Sequence, residues 1–299
     1  MTDQTRGTIE MTAAMVISGT IGLFVVLSGQ PVMSVVFWRC AFGTLTLLAI
    51  CAGLGLFRPD IVSRRQIVYA IIGGVAIVAN WVLLFAAFPR ASISIATAVY
   101  NTQPFMLVAL GALLFGERIT LAKLGWLLVA FAGMLMIVQG KSGTAHVGTD
   151  YLGGILLALG AAFFYAIAAI VAKKLKGVPP HLIALIQVAV GVVMLAPFAN
   201  LANPPVDIGS WALLVTIGVV HTGLMYILLY GAIQKLPTNL VGALSFIYPV
   251  VAIAADYIAF GQRLQLLQLA GAAAILLAAA AMTLGWTFTR RRVAWHEAG

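Results

Sequence analysis

Ten stretches of roughly 20 apolar residues follow one another with short polar breaks between them, at about 11–28, 32–55, 67–88, 92–115, 120–139, 152–173, 181–199, 210–233, 238–260 and 265–287. A bilayer core about 30 Å thick takes about 20 residues of helix to cross. Inside hydrocarbon the backbone must satisfy its own N–H and C=O groups, and a helix does so within one segment. The chain is therefore expected to be an all-α membrane protein with ten transmembrane helices. The same residues exclude a soluble fold, since 63% are hydrophobic and only 8% charged, against about 25% charged in soluble domains. The breaks carry charge, Pro or Gly, as in FRPDIVSRRQ after the second run and KKLKGVPP after the sixth. The first run lacks a strong basic segment before it and a small-residue cleavage site after it, so no removable signal peptide is expected.

Charge sets an expected orientation. With the N-terminus in the cytoplasm, thirteen cations fall on that side: Arg6, Arg58, Arg64, Arg65, Arg118, Lys123, Lys173, Lys174, Lys176, Lys235, Arg290, Arg291 and Arg292. Only Arg90, Lys141 and Arg263 fall on the other, and Arg39 lies within the second run. A bias of this size places both termini in the cytoplasm, as an even number of spans requires. The net charge of +9 is thus spread over short clusters between spans, not gathered into a nucleic-acid-binding face. Cys40 and Cys51, eleven residues apart in one run, would stand about 16 Å apart along a helix. That is too far for a disulfide, so both are expected to be packing residues.

An internal repeat is the next feature. Shifting the sequence by 145 residues lays NWVLLFAAFPR (80–90) on MYILLYGAIQK (225–235), Pro104 on Pro249, and FGER (115–118) on FGQR (260–263). Each half, 1–145 and 146–299, would hold five helices, and an odd number forces the second half to enter the membrane upside down. Charge agrees: Arg118 falls inside and Arg263 outside, Arg90 outside and Lys235 inside. Inverted repeats build secondary transporters, in which each half can adopt the arrangement of the other and open a central site to either face.

The block YNTQPFMLVALGALLFGERITLAKLGWLLVAFAGMLMIV, its partner SFIYPVVAIAADYIAFGQRLQLLQLAGAAAILL and PVMSVVFWRCAFG in the second run resemble the drug/metabolite transporter superfamily. Within it they are similar to the EamA-type exporters, a group that includes an exporter of aromatic amino acids. The resemblance spans essentially the whole chain and is weak for the substrate. It implies a cavity between the first, third, fourth, sixth, eighth and ninth spans, with the fourth and ninth as paired liners. It also implies export of small metabolites, aromatic or hydrophobic amino acids foremost, from the inner membrane by alternating access. The alternatives of the same fold are a multidrug or other metabolite exporter, handling nucleobases or cationic dyes, and a passive channel.

Polar and aromatic residues inside the spans supply the candidate solute ligands. In VYNTQPFMLV (99–108) the helix breaker Pro104 follows Asn101, Thr102 and Gln103. Proline removes a backbone hydrogen bond and strains the preceding turn, so Pro104 and Pro249 are expected hinges. Positions 93, 97, 100, 101 and 104 share one helical stripe, while Gln103 sits about 200° from Asn101. Tyr100 and Asn101 are therefore expected in the cavity, and Ser245 and Phe246 on the matching stripe of the ninth span. The other candidates are Ser18, Asn80, Trp81, Phe164, Tyr165, His221, Tyr226 and Tyr248, with Trp81 placed opposite Tyr226 by the repeat. Aromatic walls with a few amides and hydroxyls suit a flat, partly apolar solute.

Small residues such as Gly242 are more often packing contacts than ligands, and Trp126, Trp211, Trp286 and Trp295 near span ends read as an interfacial belt or tail. Arg39 and Asp256 lie at matching depth and are candidates for an ion pair across the bundle, unless Arg39 snorkels outward. Glu10 at the lip of the first span, with no acid at its middle, argues against a pump for lipophilic cations. No phosphate-binding loop, metal-ligand spacing or nucleophile–base pair is apparent, so no cofactor, metal or enzymatic reaction is expected. The expected partners are a small-molecule substrate and the lipid bilayer, with no nucleic acid and with one chain sufficient to enclose the site. Proton antiport and uniport stay equally open.

Overall fold

The apolar runs fold as helices whose ends are marked by Pro, Gly and capping polar residues. The computed structural model describes residues 1–58, 60–91, 93–140, 150–199, 204–260 and 265–286, with the side chains at 88, 93–95, 98, 140, 256 and 260 outside that description. The elements are α1 (Asp3–Ser28), α2 (Val32–Gly53), α3 (Arg64–Ala91), α4 (Ile93–Tyr100), α5 (Gln103–Phe115), α6 (Leu121–Gly140) and α7 (Tyr151–Lys174). They continue with α8 (Pro180–Leu195), α9 (Ile208–Gly218), α10 (Met225–Lys235), α11 (Thr238–Ser245), α12 (Ile247–Phe260) and α13 (Leu266–Leu284). No strand occurs among the described residues. Nine helical stretches there are long and apolar enough to cross a membrane, and Gln103–Phe115 is apolar but shorter.

The structure differs from the sequence expectation in four places, one of them the ninth run, which is two helices interrupted at Phe246. The first helix starts at Asp3, not near Met11, because Thr2 caps it by accepting from the Thr5 N–H and Arg6 pairs with Glu10 one turn on. The fourth run is two helices, interrupted at Asn101 and Thr102. The eighth is continuous but changes register: between α9 and α10 the residues Val219–Leu224 form a π-helical turn, which adds a residue per turn and alters which side chains face inward.

Three antiparallel seams organise the bundle. Along α3 and α7, Ala91 meets Gly154 at one end, Asn80 donates to the Ala161 carbonyl at 2.8 Å midway, and Lys174 lies over the Tyr69 ring at the other end. Along α1 and α10, Gly7 abuts Leu236 at the N-terminal face. On α6 and α13, Gly133 and Gly271 face each other so closely that a Cβ on either would run into the other's carbonyl oxygen. Membrane helices lack a hydrophobic drive toward one another, and small residues let their backbones approach for dispersion contact. Cys40 and Cys51 are both buried and free.

Candidate functional site

The breaks before the two prolines bring the fourth and ninth runs into the centre. Pro104 is the second residue of α5 and Pro249 the third of α12, positions where a missing N–H costs no helical bond. The interruption falls just ahead of each. At the first, Asn101 and Thr102 turn their side chains back on the preceding helix: Asn101 Nδ2 donates to the Thr97 carbonyl at 2.8 Å and Thr102 Oγ1 to that of Val99 at 2.8 Å. Asn101 Nδ2 also donates to the Tyr248 hydroxyl at 3.0 Å. One amide thus links the two breaks, and only its carbonyl oxygen is left to offer a solute. On the other side Ser245 donates to the Gly242 carbonyl of its own helix at 2.7 Å, and Phe246 is fully buried against Phe131.

At the centre of the bundle five aromatic rings meet. Trp81 of α3 and Tyr226 of α10 stand edge to face at 6.3 Å, Tyr226 and Tyr230 at 5.2 Å, and Tyr100 of α4 and Tyr165 of α7 at 6.3 Å. Tyr230 donates to Gln187 Oε1 on α8. Tyr165, Tyr226 and Tyr230 border a narrow void with Ile77, Ala168 and Leu229, with room for about one water-sized body. This void is lined from α3, α7 and α10.

Beside the rings lies a polar node made by the π-helical turn. Two consecutive side chains of this turn, about 100° apart around the helix, reach different partners. His221 Nε2 stands 2.9 Å from Thr20 Oγ1 on α1, while Thr222 Oγ1 accepts from Arg39 Nε at 3.2 Å and donates to the Ile217 carbonyl at 3.1 Å. The Arg39 guanidinium lies 4.5 Å over the centre of the Trp81 ring.

The candidates therefore divide. Asn80, Trp81, Tyr100, Tyr165 and Tyr226 gather around one centre, Asn101 and Tyr248 join the two breaks beside it, and His221 belongs to the adjoining node. Phe164 contacts Phe163, Ser18 is half-buried on α1, and Ser245 and Phe246 are used in local structure. The side chain of Asp256 lies outside the described residues, as do Arg263 and Trp295. Sequence reasoning missed Tyr230 and Gln187. Tyr230 is one turn on from Tyr226 and was readable as the same stripe, whereas Gln187 has no neighbour in the chain that signals it.

Ion pairs fasten both ends of the central helices. At the N-terminal face Lys235 Nζ lies 2.6 Å from Glu10 and Lys173 Nζ 2.8 Å from Glu117, all four partly buried. Glu117 also accepts from the backbone N–H and hydroxyl of Thr238, at 2.8 and 2.7 Å, and Lys173 donates to the Leu236 carbonyl at 2.7 Å. At the opposite face Arg90 and Asp150 are 3.6 Å apart, with side chains 45% and 60% exposed. Lys235 and Arg90 are 145 residues apart, and each closes on an acid from the other half of the chain, Glu10 within α1 and Asp150 at the N-cap of α7. Burial works against the Glu117 carboxylate, but its bonds to Lys173 and Thr238 outweigh it and hold the pKa below the ordinary 4.5.

A search for related proteins matches the EamA-like transporter family model twice, over residues 5–139 and 152–284. The chain belongs to the EamA-like transporter family. Among EamA-like relatives it is 31% identical over 278 residues to the uncharacterized transporter YxxF of Bacillus subtilis, covering 92% of this chain and 88% of that one. It is 27% identical to a probable amino-acid metabolite efflux pump of Salmonella typhimurium over 61% of this chain and 64% of that one. It is 25% identical to the aromatic amino acid exporter YddG of Ancylobacter novellus over 56% and 59%. A solved crystal structure superposes with a TM-score of 0.82 at 20% identity, covering 93% of this chain and 96% of the other, which establishes the shared fold. The chain is thus a multi-pass EamA-like membrane transporter.

Proposed function

We propose that the protein exports small metabolites, foremost amino acids with aromatic or hydrophobic side chains, across the cytoplasmic membrane by alternating access. The observation that carries this reading is the cluster of Trp81, Tyr100, Tyr165, Tyr226 and Tyr230 at the meeting point of α3, α4, α7 and α10. Aromatic faces hold a flat apolar side chain, and their hydroxyl and indole groups hold polar ends. The names of the Salmonella and Ancylobacter relatives point to the same solute class. Among the described residues no carboxylate lines the cluster, which disfavours cationic dyes.

The mechanism rests on two inverted halves, 1–145 and 146–299, with the N-terminal face and both termini in the cytoplasm, an orientation supported by the thirteen-to-three cation bias. Lys235–Glu10 and Lys173–Glu117 then close the cytoplasmic face, while Arg90–Asp150 is the looser, related fastening outside. Rocking of the halves exchanges which set is engaged, and the breaks ahead of Pro104 and Pro249 take up the bend. One chain holds the complete cluster, so a monomer suffices.

The test is efflux from proteoliposomes loaded with labelled aromatic amino acids, aliphatic amino acids, nucleobases and cationic dyes, with and without a pH gradient. Aromatic amino acids are expected to leave fastest. Preferential loss of dyes or nucleobases would replace the substrate assignment, and the effect of the gradient separates proton exchange from uniport. Membrane-impermeant labelling of cysteines placed at positions 118 and 263 should mark opposite faces; the same face for both would end the inverted-repeat mechanism.

A further inference from the structure

We infer that Arg39 receives the carboxylate of the transported solute. This rests on the amino-acid reading above and adds to it the group that fixes the solute's orientation. Arg39 is only 6% exposed and sits on α2 inside the bundle. Its guanidinium stays charged at any physiological pH, and a charge at this depth is costly unless something answers it. The neighbours it has are neutral: the Thr222 hydroxyl at 3.2 Å, the Trp81 ring at 4.5 Å and the phenol of Tyr226.

Other cations in the molecule are treated differently. Arg6, Arg90, Lys173 and Lys235 each have a carboxylate within 4 Å, the cations without one lie toward the helix ends, and Arg39, buried inside the bundle, has none among the described residues. The sequence offered Asp256 as its partner, but α12 packs on α1 and α13 whereas α2 packs on α8 and α9. The two helices share no substantial seam among the described residues, and the Asp256 side chain lies outside them.

What surrounds Arg39 fixes its direction without neutralising it. Thr222 gives its own proton to the Ile217 carbonyl, so its oxygen must accept from Nε. Stacking on Trp81 holds the guanidinium plane. Nε is one donor of five, and the terminal nitrogens form a fork that matches a carboxylate. The cluster of Trp81, Tyr226, Tyr230 and Tyr165 begins at the ring beneath the guanidinium, and the small void beside Tyr226 is bordered by Ala168 and Ala169 as well as by the larger Ile77, Leu229 and Ile233. A solute with its carboxylate on Arg39 would direct its side chain into these rings as the void widens.

The experiment compares binding of phenylalanine, phenylalaninamide and phenethylamine to detergent-purified protein, for the wild type, Arg39→Lys and Arg39→Met. The wild type should favour the acid over the amide by about ten- to a hundredfold, the range of one charge-assisted bidentate contact. Arg39→Met should bring the acid down to the amide while leaving amide binding in place, and Arg39→Lys should fall between. A purely structural role would lower acid and amide together and leave their ratio unchanged, which overturns the inference. If Arg39→Met does not fold, a wild-type-like acid-to-amide ratio in Arg39→Lys overturns it and an intermediate ratio supports it. A wild type that binds none of the three but binds another solute class would overturn the amino-acid reading itself, and this inference with it.

Discussion

Asn101 shows how one polar side chain in hydrocarbon is answered. Both N–H groups of its amide are committed, to the Thr97 carbonyl and the Tyr248 hydroxyl, so the residue that looks most like a solute ligand is first a clasp between two helix breaks. Asn101→Leu removes the clasp and leaves a partly buried hydroxyl short of a partner, which costs about 1 kcal/mol. Thermal unfolding in detergent should show the loss, and solute affinity should fall several-fold if the remaining carbonyl oxygen touches the solute. Unchanged affinity would remove Asn101 from the solute site while leaving the clasp intact. Tyr248→Phe isolates the clasp, since Asn101 keeps its bond to Thr97. It should lower stability by about 1 kcal/mol.

At the scale of elements the prolines and glycines carry opposite duties. Pro249 occupies the third position of α12, where its missing N–H marks the end of α11. Pro249→Ala would allow the Ser245 carbonyl to accept a helical bond, joining α11 and α12 into one stiffer rod. Turnover should drop by more than binding does, and equal turnover in a liposome efflux assay would remove the hinge. Gly133 and Gly271 hold α6 against α13 at backbone contact. Gly133→Leu must force that seam apart, and overpacking of this kind costs about 1–3 kcal/mol. A lower unfolding temperature is the expected result, with little effect on the acid-to-amide preference, because neither glycine borders the aromatic cluster.

For the whole molecule the deciding feature is the imbalance between its two ends. Among the described residues the N-terminal face carries two short, partly buried ion pairs and the opposite face one long and exposed pair. Exposed pairs contribute about 0–1 kcal/mol, whereas removing one partner of a buried pair costs about 3–5 kcal/mol by leaving a charge unanswered, so the balance between access states should be sensitive to substitution of Glu10, Glu117, Lys173 or Lys235. Glu10→Gln is expected to speed labelling, from the N-terminal face, of a cysteine placed at Ala169 in protein lacking Cys40 and Cys51. Acid should act in the same direction. The depressed pKa of Glu117 means its contribution is complete above 4.5 and is lost as pH falls through that lower value. Closure of this face should therefore be unaffected between pH 6 and 8 and weaken only below about pH 4.5; loosening near neutral pH would exclude Glu117 as its fastening.

The fold was legible because a bilayer reads length and polarity, and both are properties of the chain alone. Ten apolar runs sufficed for the helical architecture, and the 145-residue offset was enough to set Trp81 opposite Tyr226, rings that the structure holds at 6.3 Å. The break at Asn101–Thr102 was written in the sequence as NTQP, although its completeness was not. Sequence could not decide which way each helix is turned about its axis, and that rotation selects partners. Only the packed bundle shows that Tyr230 reaches Gln187, that a π-helical turn sends His221 and Thr222 to different helices, and that Arg39 lies among neutral groups. A side chain's depth follows from its place in the chain, whereas its neighbours depend on the angular setting of several helices at once.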